Sequence, residues 1–430
     1  MALGGGTYLV QNKVLPGTYI NFVSKATAMG SLGERGTLCI GMEMDWGSDE
    51  MMTIESSEFE TGVKAVLGYD YLDDAMLPYR EMFAGASTLK LFRLNGGTKA
   101  SVTLEDLVAT ALYGGARGND LQVAVSENVD EDDYFDIHTY LDGVLVDTQT
   151  VATISELTDN DYVTFSGDGD LVVAAAANLT GGTTTDTTGS GYTNFLAAAE
   201  AEEFQVLAYA GDDDTTKKLF VNFTKRLRDE EGIKFVTVLY DYTDADYEGI
   251  ISVSPSADLV YWVAGMSAGA EVNESLTNTA YTGEYVVDCK DTKSNYTKRL
   301  EAGEFVFYAD GDDMRVLRDI NTFTSYESTK NSDFSSNRVI RVLDSIGNDV
   351  ARIFSSYYLG KQTNNANGRN LLKAELIAYH EQLQSIEAIE DFTADDITVE
   401  AGDEKQDVVI YETVQPTDAM EKLYMRVEVV

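Results

Sequence analysis

The sequence is poor in cysteine, histidine, proline and basic residues, and each shortage excludes something. Its two cysteines, Cys39 and Cys289, lie far apart among apolar neighbours. They are expected as buried thiols in a reducing compartment rather than as a disulfide. The two histidines, His138 and His380, fall in separate segments, which argues against a Ser–His–Asp triad or a His-rich metal site. Only 31 Lys and Arg stand against 73 Asp and Glu, for a formal net charge of −42. Such a charge repels nucleic acid and anionic membrane surfaces, so neither is expected as a partner. The longest apolar stretch, residues 259–270, is too short to span a bilayer and reads as a buried helix. The first ten residues carry neither a basic start nor a long apolar run, so no signal peptide is expected.

Nor does any motif supply chemistry. Gly360-Lys361-Gln362-Thr363 lacks the earlier glycine and the Lys-Ser/Thr pair of a phosphate loop, and reads as a helix end. The glycines of 114–118 read as a tight turn. The acidic runs 130–133, 212–214 and 310–313 lack calcium-loop spacing and read as solvated loops. No catalytic, metal-ligating or cofactor-binding residue is therefore assigned, and no cofactor is expected.

What is present is length, strand-forming residues and periodicity. The 430 residues include 25 Tyr and only 4 Pro, enough for several domains rich in strands. Residues 14–23 form a strand candidate opening at Pro16-Gly17, preceded by a flexible Gly4-Gly5-Gly6 tip. Strand 36–44, helices 57–67 and 70–83 and strand 87–94 follow. Short, closely spaced strands then run from 100 to 180, with Asp142-Gly143 as a strong type I′ hairpin signal. The Gly/Thr-rich residues 180–193 read as a linker.

Helix and strand then alternate. Apolar runs at 204–210, 234–242 and 250–254 read as buried strands, and 192–202, 215–231 and 256–270 as helices. Two amphipathic helices, 336–359 and 369–386, precede an acidic stretch at 387–407 and strands at 408–414 and 422–430. The last of these sets Leu423, Met425, Val427 and Val429 against Tyr424 and Arg426. A strand kept apolar on one face to its end must pair with something.

The fold class read from this is α+β or α/β multidomain. A mixed-sheet α/β core carries an inserted small β-domain and extended N- and C-terminal β-strand arms. The expected divisions are an N-terminal arm at 1–25, a first α/β part at 26–99, an outward-facing β-domain at 100–180 and a linker at 181–193. The α/β core at 194–335, a helical region at 336–406 and a C-terminal arm at 407–430 complete it.

Several segments, taken in order, resemble contractile tail sheath proteins of phages, defective prophages and phage-tail-like bacteriocins of Gram-positive bacteria. They are Pro16-Gly17-Thr18-Tyr19-Ile20-Asn21-Phe22, residues 204–209, 218–223 and Lys225-Arg226-Leu227-Arg228, then Asp246-Tyr247-Glu248-Gly249 and 260–265. Asp319-Ile320-Asn321-Thr322-Phe323-Thr324, residues 337–344 and residues 420–427 complete the series. The resemblance spans most of the chain; the β-domain shares only position and texture. It implies a non-enzymatic subunit that polymerises as stacked hexameric rings around an inner tail tube, contracts, and drives the tube through a target envelope. The partners implied are further copies of itself, the tube protein, and baseplate and tail terminator proteins. Assembly in the bacterial cytoplasm and release in a phage tail or bacteriocin particle are implied likewise.

Neighbouring subunits are expected to be joined by arms that add strands: Thr18, Tyr19, Ile20, Asn21, Phe22 and Val23 at one end, and Leu423, Tyr424, Met425, Arg426, Val427 and Val429 at the other. The resemblance also offers the helix at 369–386 as the tube contact, through Arg369, Lys373, Glu375 and His380. Two other readings compete. One is a carbohydrate- or host-binding module using the 100–180 β-domain. The other is a hydrolase on the α/β core, which the missing G-x-S-x-G motif disfavours.

Overall fold

A computed structural model describes residues 32–429 in full and the backbone of Gly4–Gly6 and Gly17–Tyr19. The described residues divide into two compact units, one of 33–348 with 416–429, the other centred on 349–415.

The first unit is organised by an eight-stranded mixed sheet. Its strand order is Asp313–Val316, Glu304–Asp310, Ile250–Ser254, Val236–Tyr240, Val206–Tyr209, Thr37–Met42, Thr88–Arg93 and Met52–Glu55. The six inner strands are parallel, and the strand at each edge is antiparallel. A parallel sheet covered on both faces needs strands that are apolar on both sides. Val206–Tyr209 and Ile250–Ser254 meet this requirement and are buried at every position.

Successive side chains go to opposite faces. Leu38, Ile40, Val206, Ala208, Val238, Ile251 and Val253 enter one core. Cys39, Leu207, Tyr209, Leu239 and Ile250 enter the other. The first core is covered by Ser56–Leu67, Leu77–Met82 and Leu259–Gly269, the second by Gly189–Ala199 and Asp214–Lys225.

Two glycines let the buried helix Leu259–Gly269 approach its neighbour. A Cβ on Gly265 would lie 2.0 Å from the Met82 carbonyl oxygen, and one on Gly269 would lie 2.0 Å from that of Gly85. Only a side chain of hydrogen permits this backbone-to-backbone distance.

The β-domain is a sandwich inserted between sheet strands Thr88–Arg93 and Val206–Tyr209. A four-stranded sheet, in the order Val144–Val151, Phe135–Leu141, Leu121–Glu127 and Ala174–Asn178, faces a three-stranded one of Val163–Gly167, Leu107–Ala111 and Ser101–Leu104. Alternating Val123, Val125, Ile137 and Leu141 meet Leu107, Ala109, Ala111 and Val163 in its core. Asp142 and Gly143 have φ of +55° and +74°, as a type I′ turn requires.

The Gly/Thr-rich stretch is not a free linker. Thr183–Thr184 pairs with Gly97–Thr98, and the helix Gly189–Ala199 begins within it. Asn95 ties this junction by accepting from the Met44 amide at 2.8 Å and donating to the Thr185 carbonyl at 3.0 Å. The strand order of the sheet reverses beside Thr37–Met42, where open α/β sheets ordinarily form a ligand crevice at the carboxyl ends. Here the two connections to the sandwich leave from that end.

Arg117 locks the sandwich to the sheet domain. Its guanidinium donates to both carboxylate oxygens of Asp142 at 2.8 and 2.5 Å, to Asp120 at 2.9 Å and to the Gly68 carbonyl at 2.8 Å. It also lies over the Tyr69 ring at 4.4 Å.

In the second unit, Asn365 caps the helix Ala366–Ser385 by accepting from the Gly368 amide. The helix buries Leu372, Leu376, Tyr379 and Leu383 beside an antiparallel hairpin of Ile397–Ala401 and Val408–Glu412. The sheet of this hairpin contains two strands only, among the described residues.

Candidate assembly surfaces

The residues offered for the C-terminal arm are the most exposed large apolar group of the described chain. Leu423 is 88% exposed, Tyr424 88%, Met425 77%, Val427 69% and Val429 94%. Residues 417–429 form no strand and no helix here. The alternation predicted a strand at 422–430. A strand exists only through its hydrogen-bonded neighbour, and none of the described strands pairs with this segment. Arg426 pairs locally with Glu428 at 2.6 Å.

On the N-terminal side, Thr18 and Tyr19 belong to the strand Gly17–Tyr19, which pairs in parallel with Gly4–Gly6. The glycines expected as a flexible tip are thus a strand. Ile20, Asn21, Phe22 and Val23 lie outside the described residues.

The helix offered as a tube contact needs a correction. His380 is fully buried, so it cannot present itself to another protein. Its ring stacks on Phe392 at 4.9 Å, and its nitrogens lie 2.8 Å from the Leu376 carbonyl and 2.8 Å from Glu412. The reason is helical spacing: His380 follows Leu376 by four and joins the inward stripe of 372, 376, 379 and 383. Arg369, Lys373 and Glu375 are half-buried, and Arg369 donates to Asn364 at 2.9 Å. The outward face is formed by Asn367, Asn370, Leu371, Ala374 and Glu381.

Sequence reading missed the hairpin strand Ile397–Ala401, because Glu and Asp dominate 387–407. The Ile-Thr-Val-Glu alternation there was the available signal.

The segments that carry the family resemblance meet in space as a polar clasp. Arg228 donates to both carboxylate oxygens of Asp344 at 2.6 and 2.8 Å, with the two side chains 4% and 11% exposed. Burial opposes the Arg228 charge, but Asp344 outweighs it and raises the guanidinium pKa further. Asp246 accepts from the Thr324 and Ser325 amides at 2.7 and 3.1 Å. Burial pushes its carboxyl up, yet these hydrogen bonds prevail and hold it below the usual range. The Thr322 hydroxyl accepts from the Tyr247 amide and donates to the Tyr247 carbonyl, both at 3.1 Å. Asp319 accepts from Asn337 at 2.8 Å and from the Leu276 amide at 3.0 Å. Each carboxylate named here is held by fixed donors, although Arg228 Nε and Asn337 Oδ1 are buried without a hydrogen-bond partner.

The remaining titratable groups are placed as structural parts. His138 lies between Ser126 and Thr148 in the sandwich, at 3.2 and 3.0 Å. Cys39 and Cys289 are buried and free, and burial raises both thiols. Among the described residues, no helix is long and apolar enough to cross a membrane. No group of three or more His, Cys, Asp or Glu among them is arranged to hold a metal ion.

Comparison with known proteins matches the chain to three phage tail sheath domains: the β-sandwich domain over 95–186, the central domain over 185–322 and the C-terminal domain over 329–430. The phage-like element PBSX protein XkdK of Bacillus subtilis (strain 168) is 36% identical over 468 residues, covering 99% of this chain and 100% of that one. The crystal structure of a sheath tail protein from Desulfitobacterium hafniense superposes with a TM-score of 0.84 at 43% identity, covering 96% of this chain and 99% of that one. The anti-feeding prophage helical sheath in its contracted state shares the fold alone, with a TM-score of 0.57 at 12% identity over 97% of this chain and 99% of that one. The chain belongs to the phage tail sheath family, as a structural protein of a phage tail or a phage-tail-like particle and not an enzyme.

Proposed function

We propose that this chain is the repeating subunit of a contractile sleeve. Six copies form a ring, rings stack around an inner tube, and contraction drives the tube through a target envelope. The observation that carries the reading is the exposed apolar run Leu423, Tyr424, Met425, Val427 and Val429. Side chains of this kind alternate along the segment, and its backbone has no ladder partner among the described residues of its own subunit.

The acceptor is the 397–412 hairpin of a neighbouring copy. A two-stranded sheet has two edges, and an added strand contributes backbone hydrogen bonds while side-chain pockets set register. The N-terminal residues 18–23 serve as the second linking strand. Backbone pairing tolerates reorientation of the bodies it joins, so the cores can rotate while the lattice stays connected.

The functional divisions follow: arms at 1–25 and 407–430, an outward β-domain at 100–180 reached by the 181–193 segment, and a body built from 26–99, 194–335 and 336–406. The exposed face of the helix Ala366–Ser385 is assigned to the tube, with Arg369, Lys373 and Glu375 at its margins. Baseplate and terminator proteins cap the ends, and assembly takes place in the cytoplasm before the particle is released.

Negative-stain microscopy of purified protein should show striated cylinders or rings. Removing residues 422–430 should leave folded subunits that form neither. Cylinders from the truncated chain would refute the linking role of this segment.

A further inference from the structure

We propose that Glu421 is the mooring residue of the 422–429 segment, fixing where and in which direction it leaves the subunit. The proposal rests on the linking role just assigned to that segment and adds the device that aims it.

The exposure pattern locates the root. Residues 416, 417, 419 and 421 are half-buried, whereas all of 422–429 are exposed. Glu421 is thus the last residue held against the domain before the segment enters solvent, and its side chain is only 17% exposed.

Both of its carboxylate oxygens are occupied. Oε2 accepts from Arg318 Nε at 2.6 Å, and Oε1 accepts from the Thr277 hydroxyl at 2.9 Å. These partners stand 103 and 144 residues away in sequence, so the contact is a tertiary one. In a chain with 73 acidic and 31 basic residues, an arginine placed at this root is a specific allocation of scarce positive charge.

The mooring continues into the core. The Thr277 hydroxyl that donates to Glu421 also accepts from the Asp319 amide at 2.9 Å. The Asp319 carboxylate, 3% exposed as a residue, is held by the Leu276 amide and by Asn337 at the start of the helix Asn337–Ile353. Glu421, Thr277, Asp319 and Asn337 therefore form one hydrogen-bonded line from the exposed segment to a buried helix end. Tension on the segment reaches the body along that line. A charge-assisted contact of this kind is about twice as strong as a neutral hydrogen bond.

Without the mooring, the root retreats toward residue 417 and the free tether lengthens. Its departure direction is also lost, so its effective concentration at a neighbour's hairpin falls. Tether lengthening alone accounts for about twofold; with the lost direction, a preorganisation of about 1.4 kcal/mol, we expect the protein concentration at which cylinders form to rise about tenfold in Glu421→Ala and in Arg318→Ala.

The test uses the full chain and measures that threshold by light scattering and sedimentation. A nitroxide on Met425→Cys, read on subunits below the threshold, should become more mobile in Glu421→Ala while the thermal midpoint stays within a degree or two. A merely structural role for Glu421 would move the midpoint and leave the label unchanged. The exchanged pair Glu421→Arg with Arg318→Glu should restore the ion pair but not the acceptor for Thr277, and so recover part of the threshold shift, which guards against a single variant that fails to fold.

A threshold change below about twofold in both single variants, or an exchanged pair that recovers none of a larger change, overturns the mooring. If removal of 422–430 abolishes cylinders while the single variants assemble normally, the mooring alone is wrong. If the truncated chain assembles, the linking role itself is wrong.

Discussion

The same substitution, Gly to Ala, should have opposite effects at two helical positions of this protein. Gly62 is exposed in the helix Ser56–Leu67, and an added Cβ would meet nothing within 4 Å. There the substitution removes conformational freedom from the unfolded chain and favours the helix, stabilising by about 0.5–1 kcal/mol.

Gly265 faces the Met82 carbonyl oxygen, which an added Cβ would approach to 2.0 Å, with the carbonyl carbon at 2.8 Å. The obstruction is backbone, not the end of a flexible side chain, so the two helices must separate by at least about 1 Å. Overpacking of this kind costs about 1–3 kcal/mol and sometimes more. It also opens contacts along Leu259–Gly269, whose Leu259, Val260, Trp262, Val263 and Ala264 are all fully buried. A 2.0 Å approach to backbone puts the cost at the top of that range, so against a helix-propensity gain of about 1 kcal/mol a net loss of about 2 kcal/mol remains.

Denaturant unfolding of the unassembled full chain measures both effects. Trp262 lies in the helix under test and Trp46 elsewhere, so fluorescence reports the right region. A Gly265→Ala variant as stable as wild type would refute the claim that close backbone approach holds this helix.

Three further outcomes follow from the polar clasp and the sandwich junction. Arg228→Met should cost about 3–5 kcal/mol, because it leaves Asp344 buried without its cation, whereas Arg228→Met with Asp344→Leu should recover much of the loss; unfolding midpoints of the two variants decide. Asp246 has a folded pKa held below its ordinary value of 3.8, so its contribution is present above that value and lost as pH falls through the depressed one. Asp246→Asn, which keeps an acceptor and tolerates the positive φ there, should flatten the acid limb of the stability profile; an unchanged limb would contradict the assignment. Arg117→Ala should cost about 1–3 kcal/mol, discounted because Asp142 and Asp120 are half exposed; limited proteolysis should then cut the segments joining the sandwich faster, and Arg117→Lys should not restore the two-oxygen contact with Asp142.

Much of the fold was legible because burial on both faces leaves a plain mark. The runs at 204–210, 234–242 and 250–254 read as buried strands and are inner parallel strands of the sheet, and Asp142-Gly143 read as a hairpin turn and is one. Where charge sits on strands, the same reasoning failed. Glu304–Asp310 and Asp313–Val316 form an edge hairpin turning at Gly311, which has φ of +66°; its Asp-rich turn is solvated, as read, but the strands flanking it were not read. The strand Ile397–Ala401 was hidden by acidic neighbours in the same way.

His380 shows the opposite error. Its spacing from Leu376 announced a buried position, and the resemblance to sheath proteins outweighed that local evidence.

The residues proposed for assembly carry their pattern in another way. The alternation across 423–429 encodes a strand, and on the reading proposed here its ladder partner belongs to another copy. Intrachain folding therefore leaves it unpaired with its apolar side chains in water. Glu421 left no local trace at all, because an ion pair across 103 residues is a property of the fold and not of any window of sequence. A polymerising strand thus divides its information: its pattern lies in its own residues, and its aim lies in the distant residues that hold its root.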